Sequence, residues 1–151
     1  MAIQVGEAIP EATLKTMGAE GPQDLSTADI FAGKKVLMFA VPGAFTPGCS
    51  ITHMPGYVVN ADKIKAAGVD TIACMSVNDV FVMDAWGKAQ NADEILMLAD
   101  GMGEFAAALD LELDGSAFGL GTRSQRFALI AEDGVVTHIN VESGPGVDVS
   151  L

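Results

Sequence analysis

The chain has 151 residues, half of them apolar, with 8 Lys and Arg against 20 Asp and Glu for a formal charge of −12 at pH 7. That length and apolar share predict one hydrophobic core in a single domain over 1–151 and exclude a disordered chain. The charge opposes encounter with nucleic acid and anionic membrane surfaces, and apolar runs such as 36–41 and 69–75 are too short to span a bilayer.

Residues 2–10 are expected to enter as an extended segment broken by Gly6 and Pro10, and 14–23 read as polar and glycine-bearing. A turn of helix is expected over 27–31 after Ser26, with Gly33 stopping it. Residues 34–41, KKVLMFAV, read as a central strand buried on both faces: a continuous apolar run bounded by charge and then proline. A helix is expected from near Cys49 to about Ala67 with Gly68 as its C-cap, kinked or interrupted at Pro55 and Gly56. Residues 69–77 form the next expected strand. Asn78 or Asp79 then caps a helix through Phe81, Val82, Ala85 and Trp86. A third strand over 94–99 and a short helix over 103–109 follow, then a glycine-rich loop at 115–122. Segments 125–131 and 135–141 flank Glu132-Asp133-Gly134, and Asp-Gly between apolar segments signals a hairpin. The order β-α-β-α-β-α-β-β predicts an α/β, thioredoxin-like fold: a central mixed sheet flanked by helices, with a C-terminal antiparallel hairpin. No internal repeat, low-complexity stretch or linker divides the chain.

The chemistry concentrates in Pro42-Gly43-Ala44-Phe45-Thr46-Pro47-Gly48-Cys49-Ser50. A thiol placed between a core strand and a helix start meets unpaired backbone N–H groups and the positive end of the helix dipole, both of which favour the thiolate. Cys49 is therefore the expected nucleophile rather than a core filler. Thr46 either offers its hydroxyl to that thiolate and an oxygen-bearing substrate or is an ordinary turn residue. Pro42 and Pro47 stiffen the loop, and their rings are placed to shield the thiol from water. Arg123, at the end of the glycine-rich loop, either reaches Cys49 to lower its pKa or is a solvated surface residue. Arg126 is placed to pair with one of the many carboxylates. His53, His138, Cys49 and Cys74 lack the close C-x₂₋₄-C spacing of a compact site, so no metal is expected. With no Cys-x-x-Cys pair and no basic-then-apolar leader, a reducing, cytoplasmic location is expected, without a structural disulfide.

The nonapeptide, with Thr52-His53-Met54-Pro55-Gly56, closely resembles the peroxiredoxin 5, or type II, subfamily of peroxiredoxins. Residues 74–79 (CMSVND), 84–87 (DAWG) and 123–128 (RSQRFA) resemble it too, so the likeness covers nearly all of 5–142. The resemblance implies a thiol peroxidase, needing no metal, haem or other cofactor, that reduces hydrogen peroxide and small organic hydroperoxides through a sulfenic acid. It makes Cys49 the peroxidatic cysteine, Thr46 the hydroxyl meeting thiolate and peroxide, Pro42 the pocket shield and Arg123 the activating guanidinium. The backbone N–H groups of Gly48 and Cys49 would face the peroxide. His53 would lie near the pocket, with packing favoured over proton transfer, and Phe118 and Leu120 would wall the pocket or a dimer contact.

Many animal members of that subfamily carry a resolving cysteine beyond the position of Glu142, and the family usually continues into a last helix. Residues 143–151 contain no cysteine, and the sequence does not reach that helix. Cys74, in an expected core strand, is read as structural rather than resolving. Reduction of the sulfenic acid is then expected from outside, by glutathione with glutaredoxin or by thioredoxin, and the resemblance implies a homodimer. Two other readings are weighed. A disulfide oxidoreductase would need the missing Cys-x-x-Cys, whereas a thiol redox sensor or chaperone-like binding protein uses the same oxidisable thiol without turnover.

Overall fold

The computed structural model describes residues 2–46 and 54–142. Seven strands form one sheet in the order β2-β1-β5-β4-β3-β8-β9. The parallel centre comprises β3 (Lys35–Ala40), β4 (Thr71–Ser76) and β5 (Ile95–Ala99). On one side it pairs with the antiparallel hairpin of β8 (Phe127–Glu132) and β9 (Val135–Val141), and on the other with β1 (Thr13–Gly18) and β2 (Gly21–Ser26). The result is the expected thioredoxin-like mixed sheet.

The central strands alternate between two cores, as a period of two requires. Leu37, Phe39 and Cys74 point to one face and pack with Met54 and Tyr57 of α2 (Met54–Ala66) and Met83 and Trp86 of α3 (Val80–Ala89). Val36, Met38, Ala73 and Met75 point to the other, against Ile30 and Phe31 of α1 (Thr27–Phe31) and Phe105 of α4 (Glu104–Ala108). Burial on both faces explains why β3 and β4 read as unbroken apolar runs. On the first face Phe39 and Tyr57 stack with ring centroids 3.9 Å apart. Among the described residues, no helix is long and apolar enough to cross a membrane.

Local chemistry fixes the ends of the elements. Ser26 accepts from the Asp29 amide while Asp29 accepts from the Ser26 amide, a reciprocal box at the start of α1, and the chain turns at Gly33 with φ of +68°. Asp133 and Gly134 take φ of +50° and +79°, the paired left-handed values of a tight hairpin turn. The segment 14–23, read only as polar and glycine-bearing, forms most of the β1–β2 hairpin. Its inward alternation is hidden because one inward residue is polar: Thr16 is buried and donates its hydroxyl to the Met97 carbonyl at 2.7 Å. A second missed feature is the small sheet of β6 (Glu112–Asp114) and β7 (Thr122–Ser124), which flanks the glycine-rich loop. The helix expected from near Cys49 is described from Met54 onward, so its start lies outside the described residues.

Candidate active site

Two adjacent parallel strands, β3 and β4, end at the same edge of the sheet, where α/β folds place their ligand sites. The chain leaving β3 turns at 43–46. There the Thr46 hydroxyl donates to the Gly43 carbonyl at 2.6 Å and the Thr46 amide donates to the same oxygen at 3.4 Å. Phe45, within this turn, takes φ of +64°, an uncommon conformation for a bulky residue. Its ring is exposed.

Arg123 enters from β7 of the small sheet, opposite Leu113. The loop before it is closed on itself, with the Gly115 amide donating to the Gly121 carbonyl at 2.8 Å and the Leu120 amide to the Gly115 carbonyl at 3.0 Å. Two carbonyls then aim the guanidinium: Nε donates to Leu120 at 3.0 Å and Nη1 to Pro42 at 3.3 Å. Three of the residues singled out from sequence, Pro42, Thr46 and Arg123, thus converge although Arg123 lies far along the chain. Gly43 makes the convergence possible. A Cβ there would lie 2.9 Å from Thr46 Cγ2, closer than packing allows, and 3.1 Å from Arg123 Nη1, a tight contact.

Cys49, Gly48, His53 and Pro47 lie outside the described residues. The other expectations separate. Leu120 contributes its carbonyl to Arg123. Phe118, in the 3₁₀ turn Ser116–Phe118, is 78% exposed. Cys74 is fully buried in the middle of β4, opposite Phe39 and Met97. On the same face lies Tyr57, whose phenol is pushed up to about 12 by burial and by the negative charge that Cys74 would carry. Arg126 does meet a carboxylate. Its Nε lies 3.5 Å from Glu142 Oε2, both side chains being largely buried. Among the described residues no cluster of three His, Cys, Asp or Glu is arranged to hold a metal ion.

The sequence reading missed two residues that fix loops at this end of the sheet, one of them the loop that carries Thr46. Asn78, considered as a helix cap, instead accepts the Ala44 amide at 3.0 Å and the Ser76 hydroxyl at 2.7 Å. The cap of α3 is Asp79, which accepts from the Val82 amide at 2.8 Å. Asp100 closes the neighbouring loop, accepting the Phe105 and Ala106 amides at 3.1 and 2.9 Å. Burial holds its carboxyl above the usual range, opposed by those two hydrogen bonds. Their only sequence signal is an Asn or Asp directly behind a strand, which reads as a turn or a cap.

Comparison with known proteins supplies what geometry alone does not. The family model described as Redoxin matches residues 4–150. Peroxiredoxin-2B of Arabidopsis thaliana is 48% identical over 150 residues, covering 98% of this chain and 93% of that protein. Peroxiredoxin-2E, chloroplastic, from the same plant is 46% identical over 147 residues and covers 94% of this chain, which spans 63% of that relative's length. A solved structure of reduced Prx3 from Vibrio vulnificus in complex with hydrogen peroxide has a TM-score of 0.94 at 57% identity, covering 98% of this chain and 93% of that one.

Proposed function

This chain belongs to the peroxiredoxin family of thiol peroxidases, and from that premise we propose that it reduces hydrogen peroxide and small organic hydroperoxides through a sulfenic acid at Cys49. The observation that carries the reading is the convergence of the Arg123 guanidinium and the Thr46 turn at Gly43, in the loop that leads into Cys49. The motif spelled by 42–50 and 52–56 further supports the type II branch.

In the proposed step the Cys49 thiolate attacks one peroxide oxygen in line with the O–O bond. The bond breaks, sulfur becomes a sulfenic acid, and the departing oxygen leaves as hydroxide or alkoxide and takes up a proton. Charge moves from sulfur onto both oxygens. Donors fixed where that charge develops stabilise the transition state more than the ground state. Arg123 is such a donor, its Nε committed to Leu120 and its Nη1 held over Pro42. Thr46, once its hydroxyl turns from the Gly43 carbonyl toward the substrate, and the amides of Gly48 and Cys49 complete the set, with Pro42 limiting water. Thiol acidity alone is insufficient, because a lower pKa also weakens the sulfur as a nucleophile. His53 takes a packing role near the pocket.

Full burial of Cys74 supports leaving it outside the cycle, so the sulfenic acid is reduced by glutathione with glutaredoxin, or by thioredoxin, in a reducing, cytoplasmic compartment. Exposed Phe45 and Phe118 on the site loops support a homodimer through this face. The reading is tested by steady-state peroxide turnover with each reductant. Cys49→Ser is expected to abolish it, and turnover surviving in that variant overturns the assignment. A sensor in place of an enzyme would be oxidised once, without turnover.

A further inference from the structure

We infer that Asn78 is a positioning residue for peroxide reduction, acting through the turn that carries Thr46. This inference rests on the proposed function. Asn78 stands just beyond β4, beside the loop that leaves its parallel neighbour β3. Its Oδ1 receives two donors, the Ala44 amide at 3.0 Å and the Ser76 hydroxyl at 2.7 Å. The Ala44 amide can only donate, which fixes that atom as the oxygen of the side-chain amide. Both donors are withdrawn from water, since Ser76 is fully buried and Ala44 is 9% exposed, so neither has an easy substitute partner.

The helix that follows does not need this side chain, because Asp79 caps α3. The turn does. Phe45 holds φ of +64° with an exposed ring, a conformation that persists only when neighbouring contacts impose it. Asn78 pins the residue before it, and the Gly43 carbonyl holds Thr46 after it. The same short segment presents the Pro42 carbonyl to Arg123. One acceptor oxygen on β4's exit loop therefore fixes the turn that carries Thr46 and adjoins the Pro42 carbonyl met by Arg123. Small misplacements of such groups are expensive in rate.

The test compares two reactions of the same thiol in the full chain: reduction of hydrogen peroxide, which needs the positioned donors, and alkylation by iodoacetamide, which needs only the thiolate. Asn78→Ala is expected to slow peroxide reduction about tenfold to a hundredfold while alkylation stays within about twofold across the pH profile. Asn78→Asp, which keeps the acceptor oxygen, is expected to recover most of the loss at a pH where the thiol is fully ionised. A peroxide rate for Asn78→Ala within about twofold of wild type overturns the inference, as does an equal loss in Asn78→Asp. If the fluorescence of the sole tryptophan shows Asn78→Ala unfolded, Ser76→Ala replaces it, removing one of the two donors; a loss of about twofold to fivefold supports the inference and no loss overturns it. Cys49→Ser is run alongside. Peroxide reduction surviving there defeats the proposed function, whereas its loss together with a normal Asn78→Ala defeats only the role of Asn78.

Discussion

Nη1 of Arg123 donates to the carbonyl of Pro42 at 3.3 Å, joining two residues that lie 81 positions apart. With Nε on Leu120, the guanidinium is aimed before any substrate arrives. Arg123→Ala is therefore expected to slow the reaction with peroxide by about a hundredfold to a thousandfold, the usual cost of removing one preorganised donor. Stopped-flow measurement of the second-order rate checks this, with circular dichroism confirming the fold. Arg123→Lys should recover little, since an ammonium cannot donate along both carbonyl directions in one plane.

Gly43→Ala is a steric probe of the same convergence. The new methyl would meet Thr46 Cγ2 at 2.9 Å and Arg123 Nη1 at 3.1 Å, and a short threonine on a pinned turn has little room to retreat. Peroxide reduction is expected to fall by about tenfold or more, with a stability loss of about 1–3 kcal/mol from overpacking. Rates and urea midpoints equal to wild type would show that the two side chains do not share this space.

Tyr57 is the only tyrosine, so phenolate absorbance near 295 nm reports it alone. Burial first, and then the negative charge Cys74 would carry, raise its phenol from 10.0 to about 12. The sign follows from proton counting. Between these values the folded chain keeps a proton that the unfolded chain releases, so this group leaves stability untouched below about pH 10 and lowers it as pH rises toward 12, by about 1.4 kcal/mol per unit. Tyr57→Phe should flatten that alkaline decline in melting temperature. A native titration near pH 10 would contradict the buried, stacked placement.

Cys74→Ser is expected to retain peroxide turnover with glutathione and glutaredoxin, because the side chain is fully buried in β4 among Phe39, Met97 and Tyr57. Its cost should appear in stability instead, as a hydroxyl replaces a thiol in an apolar setting. Loss of turnover in a correctly folded variant would move Cys74 into the resolving role.

The parts of the fold readable in the sequence were those whose pattern matches their burial. β3 and β4 are apolar because both faces are covered, and the β8–β9 hairpin is announced by Asp133-Gly134. The β1–β2 hairpin was hidden because Thr16 occupies an inward position and β2, an edge strand, is largely exposed and carries Pro22. Strands of three residues such as β6 and β7 are too short for any periodicity. At the site, the chemistry of Arg123 was readable from its residue type, but its partner carbonyls were not, since they depend on how a distant loop folds. Asn78 was invisible for the same reason: an asparagine before an aspartate reads as a cap, and only tertiary contact reveals which of the two does the capping.

The central claim is that Cys49 carries the oxidation. Treating the reduced protein with one equivalent of hydrogen peroxide, trapping sulfenic acid with dimedone and mapping peptides by mass spectrometry tests it directly. The expected result is one trapped adduct, on the peptide containing Cys49, with no Cys49–Cys74 disulfide and no adduct in Cys49→Ser. Consumption of peroxide with Cys49 unmodified, or an adduct that persists in Cys49→Ser, would contradict it.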